Sequence, residues 1–414
     1  MCCSVKNKSM EEIMKRKISL LLAMVLIIST LTNMAAAEDA IPVSAESTNA
    51  VTEENMVIEL SMEDAVKLAI ENDRGMWKIN DGIKQMQDAR RAGSTAKDQA
   101  EMLMGLSLDD ISDMKIDITS NYVDTLLAKN GYYITYADTQ MKQLEKSKEI
   151  LLKGIDIETK SLYYSVLLAE KSIEINKAKL NKANEQLRVV NLKFNNGSAT
   201  KAEVLNAEMS IQQAKTDLDT SMDDLNIAKL NLLNKLDLPF DSEIKLTDTE
   251  LNYVPTAEVD LNAAIEKAKI ERPEILKAVN DLEVQKIKTH AYTAYYTSNL
   301  RQHKAAKEEL KDAELNVPQA YKDVELDVRK SYLNLVKAER ALINMDKTVE
   351  LSKEAARINK LLYDNGMATS LDVLEADTNL AQAEIGRYNL LAAYNISKLM
   401  FDNSNLIGTM TTMQ

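Results

Sequence analysis

Residues 196–208 read Asn196-Gly197-Ser198-Ala199-Thr200-Lys201-Ala202-Glu203-Val204-Leu205-Asn206-Ala207-Glu208. At an offset of 169, residues 365–377 read Asn365-Gly366-Met367-Ala368-Thr369-Ser370-Leu371-Asp372-Val373-Leu374-Glu375-Ala376-Asp377. Each stretch carries a stop signal and a start signal for helix. Gly197 and Gly366 supply the left-handed residue that ends a helix without Cβ strain. Thr200 and Thr369 then offer N-cap hydroxyls, and Glu203 and Asp372 complete capping-box patterns three residues on. Two helices joined by so short a turn must run antiparallel. The pattern predicts a helical hairpin with a tight tip, built twice.

The repeat extends upstream. Tyr163 falls on Tyr332, and Ala169-Glu170-Lys171 on Ala338-Glu339-Arg340 at the same offset. Further back, Met62 to Lys78 matches Leu261 to Lys277 at an offset of 199, so the first copy carries about 30 extra residues. Self-similarity at long offset marks a duplicated structural unit.

Steps of three and four residues back from Phe194 land on Val190, Leu187, Ala183, Leu180, Asn176, Ile173, Ala169, Val166 and Leu162. After the tip, Val204, Ala207, Ile211, Ala214, Leu218, Ser221, Leu225, Ala228 and Leu232 repeat the spacing. The second copy gives Leu335, Ala338, Leu342, Met345, Val349, Ser352, Ala356, Asn359 and Tyr363. A sustained 3.5-residue period means helices meeting along a narrow coiled-coil seam. Residues 134–194 and 202–236 are expected to form the first hairpin, with both copies' tips at one end.

Composition agrees. The chain has 10 Gly and 5 Pro in 414 residues, roughly a third of the usual share of about 12%. Long elements with few turns are required. The expected fold is mainly all-α: elongated antiparallel helical hairpins with coiled-coil packing, in two internal repeats. At most short strands are expected in the linker between repeats, where Glu243-Ile244-Lys245-Leu246 alternates. Pro318 is expected to kink or break the helix it interrupts.

The expected organisation is a signal peptide over 1–37, a disordered linker over 38–57 and a first helical repeat over 58–238. A linker over 239–258, a second repeat over 259–403 and a tail over 404–414 follow. The leader reading rests on Lys15-Arg16-Lys17, the uncharged apolar stretch Ile18 to Met34, and Ala35-Ala36-Ala37 as a cleavage site. An uncleaved anchor remains the alternative, since the apolar stretch is about 17 residues. Either way the chain is expected to be exported.

Cys2 and Cys3 both precede that stretch, so a processed product has no disulfide, thiol nucleophile or Cys metal site. Beyond the leader the chain has 46 basic and 62 acidic side chains, which disfavours nucleic acid as a partner. His290 and His303 form no metal pair, and no P-loop, dinucleotide fingerprint or nucleophile elbow occurs. No enzyme activity and no cofactor are expected.

The two Asn-Gly-x-Ala-Thr-x-x-acid-Val-Leu tips resemble those of the TolC-type outer-membrane efflux protein family. Leu60-Ser61-Met62-Glu63-Asp64-Ala65-Val66 and Val259-Asp260-Leu261-Asn262-Ala263-Ala264-Ile265 are also similar to that family's repeat starts. The resemblance implies a homotrimer whose helices form a tunnel. It also implies a membrane-fusion adaptor meeting the tips, an inner-membrane pump and an outer-membrane location. It places the tip turns at Asn196, Gly197, Thr200, Asn365, Gly366 and Thr369, and a candidate tip gate at Asp372, Glu375, Tyr363 and Glu203. Ala368 stands where such members can have an arginine. Structural readings stay open beside these: Asp372 as a capping residue and Tyr363 as a staple.

The family's membrane strands do not show in this sequence. Residues 285–330 read as charged helix, and Lys304 to Glu314 alone carries seven charges. Residues 93–130 hold one short alternating run, Met114-Lys115-Ile116-Asp117-Ile118. Membrane strands need about 9–11 alternating residues each. No transmembrane strand is expected in either copy, and residues 285–330 should turn near Tyr292–Ser298. Two functions follow: a tunnel subunit with transmembrane efflux activity, or a barrel-less coiled-coil scaffold or adaptor of the envelope.

Overall fold

The computed structural model describes residues 58–106, 122–248, 251–253, 255–256 and 259–408. The leader, the linker after it, both cysteines and the Met114–Ile118 run lie outside these residues. The first repeat comprises β1 (Ile58–Leu60), α1 (Met62–Glu71), α2 (Arg74–Met104), α3 (Tyr122–Lys129), α4 (Tyr132–Asn195) and α5 (Lys201–Leu236). Strand β2 (Ile244–Leu246) precedes the second repeat of α6 (Leu261–Glu271), α7 (Pro273–Tyr295), α8 (Arg301–Asp364) and α9 (Ser370–Asp402).

The long helices α4 and α8 have 64 residues each. They begin and end at positions related by the repeat's own offset, Tyr132 to Arg301 and Asn195 to Asp364. Each is roughly 96 Å long at 1.5 Å per residue. Helix α4 packs along α5, α8 along α9, and α9 also packs on α4. The 3.5-period positions are the packed ones. Val166, Ala169, Asn176, Ala183 and Val190 on α4 are buried, as are Val204, Ala207, Ala214, Ser221 and Ala228 on α5. Alternate seam positions such as Ile173 and Leu180 are half-buried. Alanine at the closest approaches lets the axes come together.

One polar pair interrupts the α4–α5 seam. Asn176 Nδ2 donates to Ser221 Oγ at 2.6 Å, and the Ser221 hydroxyl donates to the Asp217 carbonyl at 2.8 Å. A buried polar pair of this kind fixes the axial register of a coiled coil, because sliding would orphan both groups.

Two apolar clusters lie about midway along the long helices, around Tyr163 of α4 and Val328 to Leu335 of α8. One gathers Leu60, Ala65, Tyr163, Val166, Leu232, Leu236 and Ile244. The other gathers Ile265, Ala268, Val328, Leu335, Tyr394 and Phe401. The linker strand β2 pairs in parallel with β1, Ile58 opposite Ile244 and Leu60 opposite Leu246. Its partner therefore comes from just ahead of α1, not from the linker itself. The Tyr163 hydroxyl donates to the Leu60 carbonyl at 3.0 Å and accepts from the Asp248 N–H at 3.2 Å, tying this small sheet to α4.

Pro318 does not break its helix: α8 runs through it continuously. Proline removes one N–H, leaving the Glu314 carbonyl without its helical partner. Both residues are exposed, so water can serve that carbonyl. Packing before and after, at Ala306, Val324 and Val328, holds the two halves together.

Where the second copy's membrane strands would lie there is only a turn. Helix α7 ends at Tyr295 and α8 begins at Arg301. In the first copy, residues 93–104 and 122–129 are helical. Among the described residues, the strands are β1 and β2, three residues each. Among them, too, no helix is long and apolar enough to cross a membrane.

Candidate functional site: the paired hairpin tips

Both tips have the same backbone. Gly197 and Gly366 take φ values of 75° and 73°. The Ser198 N–H donates to the Lys193 carbonyl at 2.8 Å and the Gly197 N–H to the Phe194 carbonyl at 2.9 Å; Met367 and Gly366 repeat this with Leu362 and Tyr363 at 2.8 and 3.0 Å. These are the paired bonds of a helix C-terminus closed by a left-handed residue. Nothing lies within 4 Å of a Cβ built on either glycine, so backbone conformation alone calls for Gly there.

Both capping boxes are formed. The Thr200 hydroxyl accepts from the Glu203 N–H at 3.3 Å, while the Glu203 carboxylate accepts from the Thr200 N–H at 2.6 Å. Thr369 and Asp372 make the same pair at 3.3 and 2.7 Å. The Thr369 hydroxyl, and after it the Thr369 N–H, hold the Asp372 carboxyl below its ordinary range. The shorter Asp side chain closes the box as well as Glu does. Glu203 and Asp372 are thus engaged within their own turns, whereas Glu375 is exposed and makes no ion pair among the described residues.

The tips lie side by side at one end. Lys193 Nζ is 3.6 Å from the centre of the Tyr363 ring, which is buried. Deeper in, Lys182 Nζ pairs with Asp377 at 2.7 Å. Ala183 and Gln186 of α4 face Asn206, Ala207 and Ser210 of α5 and Ser370, Leu371 and Leu374 of α9 across a small gap. Ala368 is half-buried, and the cation against the Tyr363 ring is the Lys193 ammonium. Lys193 escaped the sequence reading because it lies off the 3.5-period seam and its partner is in the other copy. Nothing local marks it.

The tip surface combines apolar and acidic groups. Leu192, Phe194, Leu205, Met209, Leu361, Met367 and Leu371 are all exposed there, Met209 and Met367 at 70%. Asp364 and Glu375 stand among them. The histidines are far from this surface and on separate helices: His290 ends near Asn130 Nδ2 at 3.4 Å, and His303 is held by the Tyr296 carbonyl at 2.8 Å.

The family described as outer membrane efflux protein matches residues 295–399, which span α8 and most of α9. No curated protein matches the sequence. Several solved structures share the fold. A membrane protein from Pseudomonas aeruginosa aligns with a TM-score of 0.65 at 13% identity, over 91% of this chain and 97% of its own. CusC, described in terms of transmembrane channel formation, gives 0.64 at 13% identity, over 90% and 98%. The outer membrane protein VceC from Vibrio cholerae gives 0.60 at 14% identity, over 83% and 95%. The chain therefore shares the fold of the TolC-type outer-membrane efflux proteins, built from two tip-forming repeats, with no membrane strand among its described residues.

Proposed function

We propose that the chain is one subunit of a homotrimeric helical conduit in an envelope efflux or export system. The observation that carries this reading is the apolar surface left open on the long helices. On α8, Leu315, Leu326, Leu333, Leu351 and Ile358 are exposed and fall within about 40° of one another at 100° per residue. On α5, Leu205, Met209, Ile227 and Leu230 form a similar exposed stripe. Stripes this long on a helix pair mark faces that a further helix covers. Two faces per chain, at the flanks of a two-hairpin unit, suit closure into a ring of copies.

In this reading the mixed apolar and acidic tips meet a membrane-fusion adaptor, which links the conduit to an inner-membrane pump. Glu375 and Asp372 of three chains would ring the narrow end, with Tyr363 and Glu203 bracing the tips from behind. The expected location is the cell envelope, by the outer membrane. Export follows the leader read from the sequence.

One observation favours the second reading, a coiled-coil envelope scaffold. The chain passes from α7 to α8 through only residues 296–300, so the second copy contributes no pore wall beyond its helices. Deleting the chain in its source cell and measuring retention of a panel of pump-exported dyes separates the two. A conduit predicts raised retention, restored by the wild-type chain and not by one with both tips deleted. Unchanged retention across the panel, with altered envelope spacing, supports the scaffold.

A further inference from the structure

At the end opposite the tips, the α7–α8 turn has a composition unlike the rest of the protein. Acidic residues are 64 of 414, about four in any 24, yet residues 284–307 contain none. That stretch holds Lys286, Lys288, Arg301, Lys304, Lys307 and both histidines. Lys288 is engaged by Glu309 at 2.7 Å. Lys286, Arg301, Lys304 and Lys307 are exposed and have no ion pair among the described residues.

Tyrosines converge on the same turn. Tyr295 meets Tyr296 edge-to-face at 4.8 Å, and tilted contacts join Tyr292 to Tyr296 at 5.7 Å and Tyr122 of the first copy to Tyr295 at 5.2 Å. Tyr132, with Tyr133 at 5.4 Å and Tyr136 at 6.2 Å, lies beside them. Seven of the chain's 15 tyrosines are therefore at this end. The turn itself is braced, with His303 Nδ1 against the Tyr296 carbonyl at 2.8 Å and the Thr297 hydroxyl donating to Asn299 at 2.7 Å. It holds Tyr295 and Leu300 outward, both exposed at 43%.

Amphipathic rings at a tip with unpaired cations behind them match the chemistry of a bilayer interface. Tyrosine places its ring among headgroups with its hydroxyl in water, and Lys and Arg reach lipid phosphates from behind. We propose that this turn docks on the surface of an anionic phospholipid bilayer without crossing it. Charge complementarity selects that occupant. A protein of net charge −13 is repelled by an anionic membrane unless a local positive patch leads, and the largest acid-free stretch of the described chain is at this outward turn. The docking would set the long helices upright on the membrane. It stands whether or not the chain forms a conduit, and three copies would add their patches together.

The test uses the full chain with a local reporter. Trp77, the single tryptophan, is replaced by Phe, and Tyr295→Trp is introduced. Vesicles of equal parts phosphatidylglycerol and phosphatidylcholine, carrying brominated acyl chains, are added. The expected result is a blue-shifted, quenched emission that disappears with pure phosphatidylcholine and in 1 M salt, where the screening length is about 3 Å. The triple change Arg301→Gln, Lys304→Gln, Lys307→Gln should weaken binding about a hundredfold, near fivefold per charge. A pair of changes at the other end, Lys201→Gln and Lys360→Gln, should leave it unaltered. All five are exposed side chains, and far-ultraviolet dichroism checks that helix content is kept. Absent quenching, equal quenching with neutral lipid, equal weakening by the control pair, or an equal response to soluble polyphosphate would each overturn the proposal.

Discussion

The ammonium of Lys193, at the end of α4, rests 3.6 Å from the centre of the Tyr363 ring, at the end of α8. The two residues are close to the repeat offset of 169 apart, so the matching last turns of both copies brace each other. A cation over a partly desolvated ring contributes about 0.5–2 kcal/mol. A double-mutant cycle of Lys193→Met and Tyr363→Leu, read by urea unfolding, should give a coupling in that range. Lys193→Arg should keep most of it. A coupling near zero would mean the tips are held together by the Lys182–Asp377 pair and packing alone.

The tip glycines and an interior glycine should respond to alanine for different reasons. At Gly197 and Gly366 a Cβ has open space, so only the left-handed backbone resists, at about 1–2 kcal/mol each. Asparagine there should recover part of the loss. At Gly93 a Cβ would meet Tyr133 Cβ at 3.0 Å and the Ile134 nitrogen at 3.1 Å, so Gly93→Ala must push α2 off α4. Asparagine cannot help there, and thermal unfolding of the set decides the point.

Much of this was legible because helices record their neighbours at short range. Val166, Ala169 and Val190 declare a seam by spacing, and Gly197 and Thr200 declare a turn by what only they do well. Contacts between distant segments leave no such mark. Lys193 meets Tyr363, and Ile58 meets Ile244, across more than 160 residues. The break that Pro318 allowed for does not occur, for a related reason: its local preference is real, but the packing of the helix on either side outweighs it. The tip acids carry two meanings at once, since Asp372 reads equally as a cap and as a gate, and its cap is what the geometry displays.

Ser221→Ala should destabilise the α4–α5 seam by about 0.5–1.5 kcal/mol, because Asn176 then loses its 2.6 Å partner and keeps only its 3.3 Å bond to the Asp217 carbonyl. Adding Asn176→Leu should restore or exceed the original stability and loosen the register. Cross-linking between cysteines placed along α4 and α5 would show this as additional linked positions. A seam that keeps one register without the pair would remove its specifying role.

Replacing Pro318 with alanine supplies the missing N–H to the Glu314 carbonyl and relieves the ring's clash. Stability should rise by about 1–3 kcal/mol, bounded by the helix-interior cost of proline. If the substitution instead destabilises the protein, the proline shapes α8 in a way its continuity conceals.

The second tip should loosen in acid. Hydrogen bonds from the Thr369 hydroxyl and N–H lower the folded-state pKa of Asp372. Its stabilising contribution is therefore present above the unfolded value of about 3.9 and is lost as pH falls through the folded value. Hydrogen exchange at Asp372 and its neighbours, corrected for intrinsic rates, should lose protection below about pH 4, and Asp372→Asn should flatten that dependence. Protection unchanged down to the acid unfolding transition would show that the cap is not what holds this turn.

The central claim is that the exposed stripes on α5 and α8 are closed by further copies of the same chain. Light scattering on purified protein in detergent-free buffer, over a range of concentrations, tests it most directly. The account predicts the mass of three chains, falling to one when Leu326, Leu333 and Leu351 are changed to glutamate with helix content kept. A monodisperse single-chain mass for the unaltered protein at every concentration would contradict it.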